Sequence, residues 1–446
     1  MGKVTRMGET PMTPIRMKKS IGLVPRMFYG WRRSMKWFGI FLAISGPGII
    51  VMVADNDAGG ITTYAATGAR YGYNLLWFLV LLGPVAYYVQ EMTVRLGAVT
   101  KRGHAEAIFD AFGPFWGWFS LWDLILTDWL TLITEFIGMT AALSIFHVPP
   151  FITVIVVSVV MFLMVLQGRY WTWEKIAMLF CVLNLVYIPC AIIVRPSVSD
   201  IVHSGLIPNF PGGFNNQLFF FLMANIGTTI APWMVFFQQS AVVDKGIKEK
   251  DVPWSKLDTA LGSAFTVLVA AFVIITTATV LKGVAVDSAD QAAVALMGIN
   301  KWLGTFLAVG LFDAGFLGAI CISLASSWAF GEVFGWAHSL NNKIREAPWF
   351  YGMYIVLVAT AGLVVLIPNA PLVLITLFVQ VIAVTLLPAA LVFLILLLND
   401  SERMGSLKNT RAQNIISVAV VGIIVVLSTL YGVSALFPTM LQEGGR

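Results

Sequence analysis

The sequence predicts an all-α polytopic membrane protein, and three observations carry that assignment. Of the 446 residues, 58% are hydrophobic and only 11% charged, with a mean hydropathy of +0.84. A soluble domain carries about 25% charged residues, so most of this surface is matched to lipid. Apolar runs of about 20 residues recur along the chain, the length that crosses ~30 Å of hydrocarbon at ~1.5 Å per residue. A membrane β-barrel would instead show short alternating segments. Finally, two of the runs are interrupted by residues that weaken a helix.

Eleven runs read as spans: residues 37–71, 74–96, 114–146, 150–167, 172–194, 217–242, 257–282, 303–336, 347–367, 371–398 and 411–437. The first 36 residues hold nine Lys/Arg and a single acid, Glu9, with no apolar core. They read as a basic cytoplasmic tail with an interfacial stretch at "VPRMFYGWRRSMKW", not as a cleavable signal. With the N-terminus inside, the inner segments collect 23 of the 28 Lys/Arg, leaving Arg70, Arg195, Lys282, Lys301 and Arg446 outside. That asymmetry orients the chain N-in and C-out in a plasma (inner) membrane. It also accounts for the net charge of +5 without nucleic acid. The organisation expected is a tail (1–36), spans 1–5 (37–194), an outer loop (195–216) and spans 6–10 (217–398). An inner loop, the eleventh span and a short outer C-terminus (399–446) follow. Cys181, Cys190 and Cys321 fall in apolar segments and read as buried free thiols. His104, His147, His203 and His338 fall in loops or at helix ends, which argues against a His-based metal site within the membrane.

The first span breaks at "DNDAGG" (55–60) and the sixth around Gly227 and Pro232. Proline removes a backbone donor and clashes with the preceding turn, and glycine costs about 1 kcal/mol in a helix interior. Breaks at matched places five spans apart point to inverted repeats whose unwound segments meet at mid-membrane and hold a substrate. A charged side chain there costs at least about 2.5–3.5 kcal/mol, so Asp55 and Asp57 need a reason. On a continuous helix they would point about 200° apart; unwinding lets both reach one cavity and exposes carbonyls. Carboxylate plus carbonyl oxygen is hard-ligand chemistry suited to a small divalent cation. The expected partners are therefore a cation substrate and the lipid bilayer, with no resident cofactor. The oligomeric state is open, with a monomer expected.

"GPGIIVMVADNDAGGITTYAATGARYGYNLLW" (46–77) resembles the first helix of the NRAMP metal-ion transporters, whose motif is Asp-Pro-Gly-Asn. The likeness continues through "QEMTVRLGAVTKRGHAE" (90–106), "TEFIGMTAAL" (134–143), "IGTTIAPWMVFFQQSAVV" (226–243) and, more weakly, "VQVIAVTLLPAALVFL" (379–394). The resemblance implies the LeuT fold, with spans 1–5 and 6–10 as inverted repeats and an eleventh helix appended. It places the motif on Asp57, Ala58, Gly59 and Gly60, keeping the metal-binding Asp as Asp57 but replacing the Asn by Gly60. The helix 6 pattern Ala-x-x-Met-Pro-His falls on Thr228, Ala231, Pro232 and Trp233. Ala231 thus stands where the family has a soft thioether favouring manganese and iron. A site of Asp57, Thr228, carbonyls near Ala54 and Thr228, and space beside Gly60 and Ala231 suits a partly hydrated Mg²⁺. Asp55 is a direct ligand, a water-mediated one, or a protonated group stabilising the break. This is the pattern of the NRAMP-related magnesium transporters, in which Mn²⁺ should compete and Ca²⁺ should be poor.

In the better-known relatives a His after the helix 6 Pro and acids on helix 3 help carry protons. Trp233 takes the His position and Leu132 one acidic position, while Glu135 keeps the other. Uncoupled transport driven by the membrane potential is therefore expected. Glu135 is either a remnant of the proton route or a neutral acid bonded between helices. Asp123 and Asp128 read mainly as interfacial rather than vestibular, and Gln380 as a packing residue rather than a bond to the break. Asp313 has no counterpart in the family and its role is open. The alternative reading is a proton-coupled Mn²⁺/Fe²⁺ importer. An amino-acid carrier on the same fold would meet too negative a pocket, and a channel would be told apart by saturation kinetics. The chain shows no nucleophile–base pair, zinc signature or phosphate loop, so an enzyme is not expected.

Overall fold

A computed structural model describes residues 41, 43–284, 286 and 288–436. The basic tail, the start of the first run and the outer C-terminus lie outside the described residues. The chain divides after Ala43, and the fold described here is that of the unit beginning at Ile44.

Among the described residues, nine helical stretches are long and apolar enough to cross a membrane. The difference from eleven has two local causes. The 3₁₀ turn at Gly72–Leu75 joins the first and second runs into one stretch, Ala58–Thr100, and the fourth run forms only Pro150–Val165. The first run is split into α1 (Pro47–Ala54) and α2 (Ala58–Tyr71), and α3 (Leu76–Thr100) follows. A short α4 (His104–Phe112) leads to α5 (Pro114–Ser144), α6 (Pro150–Val165), α7 (Tyr170–Leu183) and α8 (Tyr187–Ile193). The outer connection, expected as a loop, carries α9 (Val198–Leu206).

The sixth run is split into α10 (Asn216–Thr229) and α11 (Pro232–Asp244), followed by α12 (Val252–Val280). Next come α13 (Ala289–Ile299), a second unexpected short helix, then α14 (Lys301–Phe334), α15 (Pro348–Val365) and α16 (Leu372–Asn399). One turn, α17 (Ser401–Met404), precedes α18 (Arg411–Leu436). The two broken spans run antiparallel: α2 packs on α10, and α1 on α11. Small residues also let α1 come close to α12. A Cβ on Gly48 would fall 2.6 Å from Thr259 N of α12, and one on Gly262 would fall 2.8 Å from Gly48 O.

Candidate cation site at two helix breaks

The first break is shorter than expected: only Asp55, Asn56 and Asp57 separate α1 from α2, and Gly59 and Gly60 are already helical. Asp57 caps α2, its Oδ1 accepting from Gly60 N at 2.6 Å. This N-cap bond satisfies one of the orphan amides of a new helix and holds the carboxylate at its head. The second break is also displaced. It lies at Ile230–Ala231, whereas Gly227 is helical and packs against the backbone of Gln380.

The absent side chain at Gly60 defines the meeting point. A Cβ there would lie 2.6 Å from Thr228 Oγ1 and 3.2 Å from both Asp55 O and Asp57 Oδ1. Three oxygens from both broken spans therefore surround one small gap. Thr228 Oγ1 and both carboxylate oxygens of Asp55 are buried and find no hydrogen-bond partner among the described residues. Buried oxygens without partners are costly, and a cation is the kind of guest whose charge could offset that cost. Both half-helices that precede the breaks, α1 and α10, end here on their carbonyl side. A helix C-terminus carries roughly −0.5 charge; Asp57 and Glu135 cap the opposed N-terminus of α2, which leaves the carbonyl ends of α1 and α10 to meet a positive guest. Among the described residues no three His, Cys, Asp or Glu side chains converge as a ready-made metal cluster. This arrangement presents carboxylate, hydroxyl and carbonyl oxygens instead.

The remaining candidates fall into place around this gap. Glu135 Oε2 accepts from Ala58 N at 2.8 Å, so the acid of α5 caps α2 alongside Asp57. A Cβ on Gly318 of α14 would lie 2.9 Å from Asp57 Cβ and 3.0 Å from Glu135 Oε2, so only glycine admits the two carboxylates together. Gln380 lies against the break: its Nε2 packs beside Gly59 and makes no hydrogen bond among the described residues. Ala54 closes α1, and Leu132 is buried in α5. Trp233 is buried edge-on to Phe237, and its indole N–H has no hydrogen-bond partner among the described residues.

Asp128 departs from expectation, and the structure gives Asp313, left open by the sequence, a partner. Asp128 is not interfacial; it is 1% exposed and accepts from Ser326 Oγ at 2.6 Å. Asp313 turns away from the breaks and accepts from Asn184 Nδ2 at 2.7 Å, tying α14 to the 3₁₀ turn between α7 and α8. Sequence reasoning overlooked Met234. Its Sδ accepts from the N–H of Ala231 at 3.4 Å, returning a thioether to the second break three positions beyond the one it vacated. A Met at the third position of a helix that begins at Pro232 was the available signal, since that position reaches back to the cap.

The two ends of the broken spans differ. On the Lys/Arg-rich side, Asp258 of α12 accepts from Gly46 N at 3.1 Å and Gly48 N at 2.7 Å, capping the head of α1. Lys245 Nζ donates to Ser45 O at 2.7 Å and pairs with Glu174 at 2.5 Å. Gly46 has φ 145 and its Cβ position is occupied by the Glu174 carboxylate, so glycine is required there twice over. On the opposite side a cavity of about 270 Å³ is lined by Thr62, Gly138, Leu311, Thr376 and Asp290, with Gly138 packed against Ala58.

Curated relatives include the divalent metal cation transporter MntH of Caldanaerobacter subterraneus subsp. tengcongensis, 26% identical over 90% of this chain and 96% of the relative. The protein of the same name from Brucella suis biovar 1 is 25% identical over 89% of each chain. Among solved structures, a manganese transporter of Eremococcus coleocola superposes with a TM-score of 0.74 at 21% identity, over 90% of this chain and 89% of that one. MhsT in complex with L-phenylalanine gives 0.60 at 11% identity, over 87% and 98%. These likenesses establish the LeuT fold with its paired inverted repeats. Residues 48–434 match the family described as Natural resistance-associated macrophage protein-like, and the chain belongs to that Nramp family.

Proposed function

We propose that the protein is a secondary-type transporter that moves Mg²⁺, and also Mn²⁺, by alternating access, without proton coupling. The ion is held partly hydrated between the breaks of the first and sixth spans. The observation that carries this reading is the gap at Gly60. It brings Asp57, Thr228 and the Asp55 carbonyl together as hard ligands around a residue with no side chain. Mg²⁺ is held by one or two carboxylates and keeps several waters, and Ala231 contributes no donor atom. Relatives named for divalent metal and manganese transport support the cation class. The charge asymmetry supports an N-in orientation in the plasma membrane.

Uptake into proteoliposomes loaded with a Mg²⁺-sensitive dye tests this reading. Saturable Mg²⁺ entry that disappears in Asp57→Ala is expected; entry of Mn²⁺ without Mg²⁺ would overturn it. The second reading, a proton-coupled Mn²⁺/Fe²⁺ importer, has Met234 in its favour. If its thioether reaches the ion, Met234→Leu lowers Mn²⁺ uptake relative to Mg²⁺; on the main reading the ratio stays constant.

A further inference from the structure

A cavity of about 800 Å³ on the Lys/Arg-rich side is unrelated to the cation path. Its walls come from the end of α3, the 3₁₀ turn at Glu249–Asp251, the start of α12 and Leu407. Four lysines line it, Lys101, Lys248, Lys250 and Lys256, against one acid, Glu249. Lys256 is committed to Glu91 at 2.6 Å, and Glu91 to Arg95 at 2.8 Å. Arg95 in turn donates to Leu407 O at 3.0 Å and Asn409 Oδ1 at 2.8 Å. The floor is thus a fixed network joining α3, α12 and the 405–409 turn. Lys101, Lys248 and Lys250 stand at the rim without an ion pair among the described residues. The N-terminus of α12, at Val252 and Pro253, adds its positive dipole to theirs.

An exposed apolar face of α12 leads away from the cavity. Pro253 lines the cavity and begins an exposed stripe on α12, Pro253, Leu257, Leu261, Ala264 and Leu268, at spacings that keep one helical face. Leu257, Leu261 and Leu268 are 44%, 47% and 45% exposed. Fifteen residues of helix extend about 22 Å, more than the ~15 Å of one leaflet.

We propose that this cavity is a binding site for an anionic phospholipid, with the headgroup phosphate between Lys101, Lys248 and Lys250 and an acyl chain along the α12 stripe. The shared chemistry is a phosphate, which a free phosphate compound would also offer. Continuity of the basic rim with a lipid-facing apolar track selects the lipid. Anionic lipids populate the cytoplasmic leaflet, where each nearby Lys is worth about 1 kcal/mol.

The test is native mass spectrometry of the full chain in detergent. The protein is titrated with phosphatidylglycerol and with phosphatidylcholine of the same chain length, with and without inorganic phosphate. Phosphatidylglycerol is expected to bind at least about tenfold tighter. That preference should vanish in the triple variant K101Q/K248Q/K250Q, persist in K101R/K248R/K250R, and resist inorganic phosphate. Equal binding of the two lipids, or a preference that survives the Gln substitutions, overturns the proposal. Displacement of the lipid by inorganic phosphate overturns the lipid as ligand and assigns the site to free phosphates. The variants lie away from the cation path, so an unchanged melting temperature and Mg²⁺ uptake certify their fold.

Discussion

Gly60 shapes the candidate site by what it lacks. A methyl group at that position would come 2.6 Å from Thr228 Oγ1 and crowd Asp57 and the Asp55 carbonyl. Gly60→Ala is therefore expected to cut Mg²⁺ uptake at least about tenfold, since a 1.4 kcal/mol loss suffices. Calorimetric titration with Mg²⁺ would detect the weakened binding, and unchanged affinity would remove Gly60 from the site. Asp313 makes a different prediction. Because it faces Asn184 and not the breaks, Asp313→Asn should lower the melting temperature more than it alters the KM for Mg²⁺. A large KM change with normal stability would place it on the ion path.

At the scale of elements, α1 is the piece positioned to move. It is eight residues long and is held at its head by two amide bonds to Asp258 and by the Lys245–Ser45 contact. Loss of a capping side chain costs about 0.5–2 kcal/mol. Asp258→Ala should therefore favour a state open on the Lys/Arg-rich side. A cysteine placed at Ala54 would report this opening, because the three native thiols are buried. Faster labelling from that side in the Asp258→Ala background is expected; an unchanged rate would mean that the cap does not restrain α1. The break itself is stabilised twice, by Asp57 on Gly60 N and Glu135 on Ala58 N. Glu135→Gln should retain the helix break, because an amide oxygen still accepts from Ala58.

For the whole molecule, uncoupled movement of a divalent ion through the membrane potential is worth about 4.6 kcal/mol per 100 mV. An inside-negative potential should then accelerate Mg²⁺ entry while the pH of the vesicle interior stays constant. A pH-sensitive dye beside the Mg²⁺ dye reads both, and metal-dependent acidification would establish coupling instead. Mn²⁺ should compete with Mg²⁺ and Ca²⁺ should compete poorly, because a compact octahedral shell does not expand easily to the coordination Ca²⁺ prefers.

The sequence by itself determined that the chain crosses the membrane in helices and that two of them are broken. Both follow from local physics: length and apolarity for a span, Asp, Gly and Pro for an interruption. It also singled out Asp57, Gly60 and Thr228, because motif spacing is preserved along the chain. Only the tertiary structure decided what those breaks face. That Gly60 lies between Thr228 and Asp55, that Gln380 reaches Gly59, and that Asp313 turns to Asn184 depend on residues more than a hundred positions apart. The extent of each break was likewise invisible. Whether Gly59 and Gly60 unwind or continue a helix turns on whether Asp57 and Glu135 cap the amides that follow, and Glu135 arrives from another helix. Periodicity reports the environment of a helix face, not which neighbour fills it.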